Sequence, residues 1–414
     1  MSSQDGAPAD QSRERGSKLL VLSLVPFLMV LGNSMLIPVL PKLMAVLHVS
    51  LLQAGLVITV FSIPAGIVIP LAGALSDRIG RKIVMGPALI VYGLAGLGSG
   101  LASWLAPSAY PLIIGFRILQ GIGAGGTYQL AMALAGDMYR GQQRVKALGT
   151  LEAANGLGKV VSPIAGSAVA LVVWFAPFFV YGLLSFPVAA AVWLVIREPR
   201  DRPQAASMGQ YWQGLRRVFE RQAASLLITF LGGASVLFIL FGVLSYLADI
   251  LERPYGVGEM PRGLLIAVPV LFSAVASYLA GTVMQARLAR WSRPVVAGGL
   301  GLIALAMVAE GLIFNPFWAM PALVLQGIGT GAALPAINTL VTSATSTSER
   351  GVVTSLYGSV RFFGVALGPP IFALAMRARP TIFFGAAGLA FLVAGLSWWL
   401  IDERQMLQGQ RQPT

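Results

Sequence analysis

The chain has 414 residues, of which 56% are apolar and only 11% charged, with 48 glycines, a net charge of +13 and no cysteine. Too little polar surface remains for a soluble domain of this size, and the missing thiols exclude disulfides and thiolate metal sites. The basic excess would suit nucleic acid, but most of the cations gather in the termini and in alternate loops. That is the positive-inside bias of a membrane protein, and it excludes the nucleic-acid reading.

Residues 1–18 are polar and lack the apolar core of a cleaved signal peptide, so they are expected to form a cytoplasmic tail. Twelve apolar runs of membrane length follow, at about 19–41, 52–74, 84–103, 110–136, 146–172, 174–196, 225–251, 263–284, 294–314, 317–344, 352–376 and 380–401. An even number returns the chain to the cytoplasmic side. Among the loop cations only Lys42, Arg253, Arg262, Arg377 and Arg379 then fall opposite the tails. The polar stretch 197–224 is a cytoplasmic linker between the halves 19–196 and 225–401, and 402–414 is a second cytoplasmic tail.

The first span carries Leu31-Gly32 and then Pro38-Val39-Leu40-Pro41, with Asn33 as the polar residue able to face a cavity. His48 follows in a short loop and reads as solvated. The second and third spans are joined by Gly73-Ala74-Leu75-Ser76-Asp77-Arg78-Ile79-Gly80-Arg81-Lys82-Ile83-Val84-Met85. A turn so dense in charge cannot lie in hydrocarbon.

In the fourth span Arg117 precedes Gln120, Gly121, Gly123 and Gly125. A cation there costs about 3 kcal/mol on insertion scales, so it must face a partner or a wet cavity. A functional role and a purely structural donor role both fit it. The fifth span sets Glu152, Asn155 and Lys159 on one helix face by their i, i+3, i+7 spacing. They form either a wall that binds substrate or protons, or a buried network that orders helices. In the same span Gly158, Ser162, Pro163 and Gly166 allow close packing and a kink. Asp137, Asp249 and Glu310 fall near span ends and are expected to be solvated.

An internal repeat supports the division into halves. Leu119-Gln120-Gly121-Ile122-Gly123 recurs as Leu325-Gln326-Gly327-Ile328-Gly329, and at the same offset Arg144 matches Arg350, Gly158 matches Gly364 and Pro163 matches Pro369. The offset pairs Asn155 with Arg361, which places Arg361 across a pseudo-twofold axis from it. Two parallel halves around a midplane site is the plan of a secondary transporter. The second half's copy of the charged turn, Gly281–Arg290, has Gln285 in the acidic place. No phosphate-cradling G-x-x-x-x-G-K, nucleophile–base pair or metal cluster is present, so neither a cofactor nor an enzyme is expected.

Four motifs carry a family resemblance: G-x-L-S-D-R-x-G-R-K at 73–82, R-x-x-Q-G-x-G at 117–123, G-x-x-x-S-P-x-x-G at 158–166 and L-G-x5-P-V-L-P at 31–41. They resemble those of the major facilitator superfamily, and within it the twelve-helix drug:proton antiporters. The resemblance implies an all-α membrane protein of two pseudo-symmetric six-helix bundles, working as a monomer in the inner (plasma) membrane. Gly73, Asp77, Arg78, Gly80, Arg81 and Lys82 would form a gating loop, with Asp77 facing the start of helix 11 near Gly351 and Val352. The cations of that loop would meet lipid phosphates; the plainer alternative is a turn that only sets topology.

The resemblance further implies export of lipophilic small molecules driven by proton entry. Glu152 and Arg117 would couple protons, Asn33, Asn155, Lys159 and Arg361 would line the substrate cavity, and Gly158, Ser162, Pro163 and Gly166 would be the antiporter motif. Many multidrug members place a carboxylate in helix 1, where this chain has Asn33. Three cavity-side cations keep a second cargo open, an anionic or lipid-linked substrate. A non-transporting receptor or scaffold is the third reading.

Overall fold

The computed structural model describes residues 7–198, 208–344 and 350–406, and all regular structure among them is helical. Ala7–Ser34 (α1) begins inside the polar tail and stops ahead of two prolines. Pro38 shapes a 3-10 turn, Ile37–Val39, and Pro41 falls in the first turn of Leu40–Leu47 (α2), where a missing N–H costs little. Ser50 then caps Leu51–Ile79 (α3): its Oγ accepts the N–H of Gln53 at 3.3 Å, while Gln53 Oε1 accepts the N–H of Ser50 at 2.8 Å. A single residue, Gly80 at φ 117°, joins α3 to Arg81–Leu105 (α4); a side chain there would be strained.

The fourth expected span is two helices, Ala109–Gly125 (α5) and Tyr128–Met138 (α6), parted at Gly126–Thr127. Thr127 Oγ1 donates to Ala124 O at 2.6 Å and so takes up one carbonyl of the interrupted ladder. Gly141–Ala170 (α7) contains Pro163, and Ala176–Val195 (α8) closes the first half.

The second half opens with Met208–Glu252 (α9), whose first turns occupy the stretch expected as linker. A kink at Gln222 (φ −143°, ψ 29°) separates those turns from the span. Gln222 Nε2 pins the bend by donating to Ala344 O at 3.3 Å and Gln405 O at 3.4 Å. Glu259–Leu312 (α10) holds two membrane-length pieces, Glu259–Gly281 and Trp291–Leu312. The side chain of Gln285, between them, lies outside the described residues. Met320–Ser343 (α11), Arg350–Ala373 (α12), Ala375–Leu400 (α13) and Glu403–Met406 (α14) complete the chain. Met406 is fully buried, so this part of the expected tail docks on the bundle.

Among the described residues, 10 helical stretches are long and apolar enough to cross a membrane. The other two expected spans, 110–136 and 146–172, are helical but miss that measure: the break after α5 shortens one, and polar side chains along α7 dilute the other. Large apolar side chains such as Leu194, Phe391 and Trp399 stand exposed on the outside of the bundle, a surface suited to lipid rather than water.

The repeat reappears in the packing. A Cβ on Gly121 of α5 would collide with Phe61 O of α3, and one on Gly327 of α11 with Pro269 O of α10. In the same way Gly166 of α7 presses on Met35 O, and Gly364 and Gly368 of α12 press on Ala234 O and Phe238 O of α9. The two halves meet where α3 packs on α12 and α7 on α10.

Candidate functional site

Between the halves lies a cavity of about 70 Å³. Asn33 from α1, Asn155 and Lys159 from α7, and Arg361 from α12 all line it, so the four residues expected to form a substrate wall are brought together. The 206-residue repeat offset thus corresponds to a real juxtaposition of Asn155 and Arg361 across the seam. Phe61, Phe241 and Phe362 supply aromatic surface to the same cavity, with Met29 and Leu237 beside them. No carboxylate is among the lining side chains.

Two further polar lining residues, Tyr128 and Gln129, come from the first turn of α6. The break at Gly126–Thr127 aims them inward. Sequence reasoning passed over them, although consecutive glycines followed by Thr-Tyr-Gln were the available signal. Glu152 stands behind this wall rather than in it. Tyr128 Oη donates to Glu152 Oε1 at 2.5 Å, which makes Tyr128 the direct link between the acid and the cavity. The Arg361 guanidinium lies 5.5 Å from the centre of the Tyr357 ring.

Arg117 is fully buried and is also outside the cavity wall. Its Nε donates to Val57 O at 2.9 Å, Nη1 to Gly32 O at 2.8 Å and to Gln120 Oε1 at 2.7 Å, and Nη2 to Asn33 Oδ1 at 2.5 Å. The Phe61 ring centre is 4.3 Å from its Cζ. The guanidinium fork therefore ties α1, α3 and α5 together, and through Asn33 it holds one wall of the cavity in place.

At the opposite end of α3, the charged turn is a network rather than a free loop. Arg81 Nη2 lies 3.0 Å from Asp77 Oδ1, and its Nε lies 2.5 Å from Asp137 Oδ2. The Arg81 and Lys82 N–H groups, at the start of α4, donate to the Glu198 carboxylate at 2.8 and 3.3 Å, where an anion suits the helix end. Lys82 Nζ meets Trp193 O at 2.6 Å and Ile196 O at 2.7 Å, at the end of α8. Arg78 is exposed. Near this end Gly73 faces Ser355 of α12, and it is Arg81 that pairs with Asp77 here. Asp77→Asn is expected to leave folding intact, because an exposed pair is worth under about 1 kcal/mol, and to slow transport. Unchanged transport rates in vesicles would leave the turn as a topology element only.

In α7, Ser162 Oγ donates back to Gly158 O, while Pro163 O and Ser167 abut Gly263 of α10. Two expectations are corrected. Asp249 and Glu310 are buried, at 0% and 3% exposure, not solvated. Arg253 Nε lies 2.8 Å from Asp249 Oδ1. Arg379 folds over the end of α10 onto Glu310 O at 2.7 Å and Ile313 O at 2.6 Å, sealing that corner. Asp137 is half exposed as expected, and His48 is exposed at a left-handed helix cap with φ 53°.

Residues 22–369 and 263–411 match the family described as the Major Facilitator Superfamily. The chain belongs to the major facilitator superfamily. This transporter is 37% identical over 378 residues to the bacillibactin exporter of Bacillus subtilis, covering 91% of this chain and 94% of that one. It is 27% identical to the class B tetracycline resistance protein of Escherichia coli, covering 96% and 99% of the two chains. The crystal structure of a bacterial homologue of the human lysosomal transporter Spinster, inward-facing and unoccupied, superposes with a TM-score of 0.75 over 97% of the transporter and 99% of that chain, at 20% identity. That last likeness is one of fold. The protein is a multi-pass membrane transporter of small molecules, not an enzyme.

Proposed function

We propose that the transporter exports amphipathic organic anions from the cytoplasm by alternating access, with Glu152 as a protonatable group behind the cavity wall that tunes its affinity for them. The observation that carries this reading is the lining of the cavity: Lys159 and Arg361 face it, no carboxylate does, and three phenylalanines supply an apolar bed. A lipophilic cation would meet two like charges there, which selects against it. An anion with an apolar body fits this chemistry, its charge toward the two cations and its body on the rings. Of the cargo readings open in the sequence, this is the anionic one. Export as the direction is supported by the relatives, named as a bacillibactin exporter, a multidrug efflux protein and a tetracycline resistance protein. The cation distribution supports a cytoplasmic position for both termini and the Gly73–Met85 turn, where the exposed Arg78 would meet anionic headgroups. An inside-negative membrane potential then favours outward movement of an anion by about 2.3 kcal/mol per charge per 100 mV.

Everted vesicles test the cargo. A carboxylated fluorescein is expected to accumulate in them and a quaternary-ammonium dye to stay out; the reverse selectivity would overturn the reading. The sign of the proton effect follows from the geometry. An ionised Glu152 competes with the substrate anion for the Tyr128 hydroxyl, and protonation removes that competitor. Anion affinity is therefore expected to rise as pH falls, and Glu152→Gln to hold it at the low-pH level throughout. A Glu152→Gln protein with the same pH dependence as the parent would move the proton site elsewhere.

A further inference from the structure

The L-G-x5-P-V-L-P motif of the first span has no role in the cavity beyond Asn33. Its prolines have another consequence. In the 3-10 turn Ile37–Val39 the oxygen of Pro38 would be met by the N–H three residues on, but that residue is Pro41 and has none. The donor comes instead from the other half of the molecule: Arg262 Nε of α10 lies 2.8 Å from Pro38 O. Arg262 is only 1% exposed. Its Nη1 pairs with Glu252 at the end of α9. The neighbouring Gly263 abuts Pro163 O and Ser167 of α7, so the first turn of α10 is pressed into the first half on two sides.

The same device recurs farther in along the seam. In α12 the helical bond to Ala366 O would come from residue 370, which is Pro370. Thr59 Oγ1 of α3, in the other half, takes that oxygen at 2.6 Å. Both contacts therefore join a side chain of one half to a backbone oxygen that a proline in the other half has freed.

We infer that Arg262 is the latch that holds the halves together at the end of the molecule away from the Gly73–Met85 turn, and that Pro38 O is its keeper. The placement supports this role. Asn33 and Ser34 line the cavity, and the Ile37–Val39 turn is the next turn of chain outward. Opening the cavity at this end separates α10 from that turn and removes the acceptor of Arg262. Its charge is not stranded when this happens, because Glu252 belongs to the same half and moves with it. The opening step thus loses one charged hydrogen bond rather than exposing an unpaired buried ion, which keeps the gate reversible. Lys42 and Glu259 also face each other across this rim, but at 3.7 Å and with Lys42 46% exposed they contribute little.

The inference depends on neither cargo nor proton, so its test needs neither. The chain has no cysteine, so spin labels can be placed cleanly at Val46→Cys on α2 and Tyr255→Cys beyond α9, both exposed. Distances between them are measured by pulsed electron resonance in lipid nanodiscs, without substrate. The parent is expected to show mainly the short distance of the closed rim. Arg262→Gln is expected to raise the long-distance population about tenfold, the worth of one buried charged hydrogen bond. Arg262→Lys keeps the charge for Glu252 but loses the fork, and should fall between the two. Thr59→Val, which removes only a donor, should shift the distribution the same way by less. Unchanged distributions in the Arg262 and Thr59 variants would overturn the proposal. So would a shift in Lys42→Gln as large as that in Arg262→Gln.

Discussion

Replacing Arg117 with methionine is expected to cost about 3–5 kcal/mol and to remove most folded protein, the penalty of breaking a buried charged network. The side chain makes four hydrogen bonds to partners on three helices, and deleting it strands Asn33 Oδ1 and Gln120 Oε1 among buried side chains. Arg117→Lys should rescue little, because a single ammonium cannot span acceptors on α1, α3 and α5 at once. The measurement is the unfolding midpoint in detergent together with the yield of monodisperse protein. If Arg117→Met melts like the parent and only transport fails, Arg117 belongs to the transport chemistry, as the family resemblance implies, and the structural role is wrong.

The second large effect is expected at Arg361, with the opposite signature. Arg361→Gln should lower uptake of the anionic dye by about 10–100-fold, the loss of one charge-assisted contact of about 1.5–3 kcal/mol, while the melting point stays near that of the parent. Lys159→Gln should act similarly, and the double variant should reach background because both cations face the same cavity. Competition with the unlabelled anion separates weakened binding from slowed turnover. A double variant that still moves the anion at the parental rate would place the binding site elsewhere.

Much of the architecture was legible because bilayer chemistry is strict. Apolar length, alternate basic loops and small-residue motifs each constrain the chain independently, and the repeat alone ties Asn155 to Arg361. Where the reading failed, the cause was local geometry. A break in a span requires two residues, Gly126 and Thr127, to leave the helical ladder, and nothing in their hydropathy announces it. Tyr128 and Gln129 were missed for that reason. Asp249 and Glu310 were misjudged because position along a span says how near an end a residue lies, not what folds over it. Arg379, more than sixty residues after Glu310, closes that corner. The Gln222 bend was hidden in the same way, since it is held by oxygens at Ala344 and Gln405, remote in the chain.

The acceptors at the seam between the halves have an evolutionary consequence. Every amino acid carries a carbonyl, so drift at position 38 or 366 leaves the oxygen in place. What makes each oxygen available is a proline a few positions later, at 41 or 370. Related transporters could therefore preserve the closure while varying the residues that bear it. Swapping either of those prolines for alanine would weaken the closure from a distance, by letting the helix reclaim its own bond.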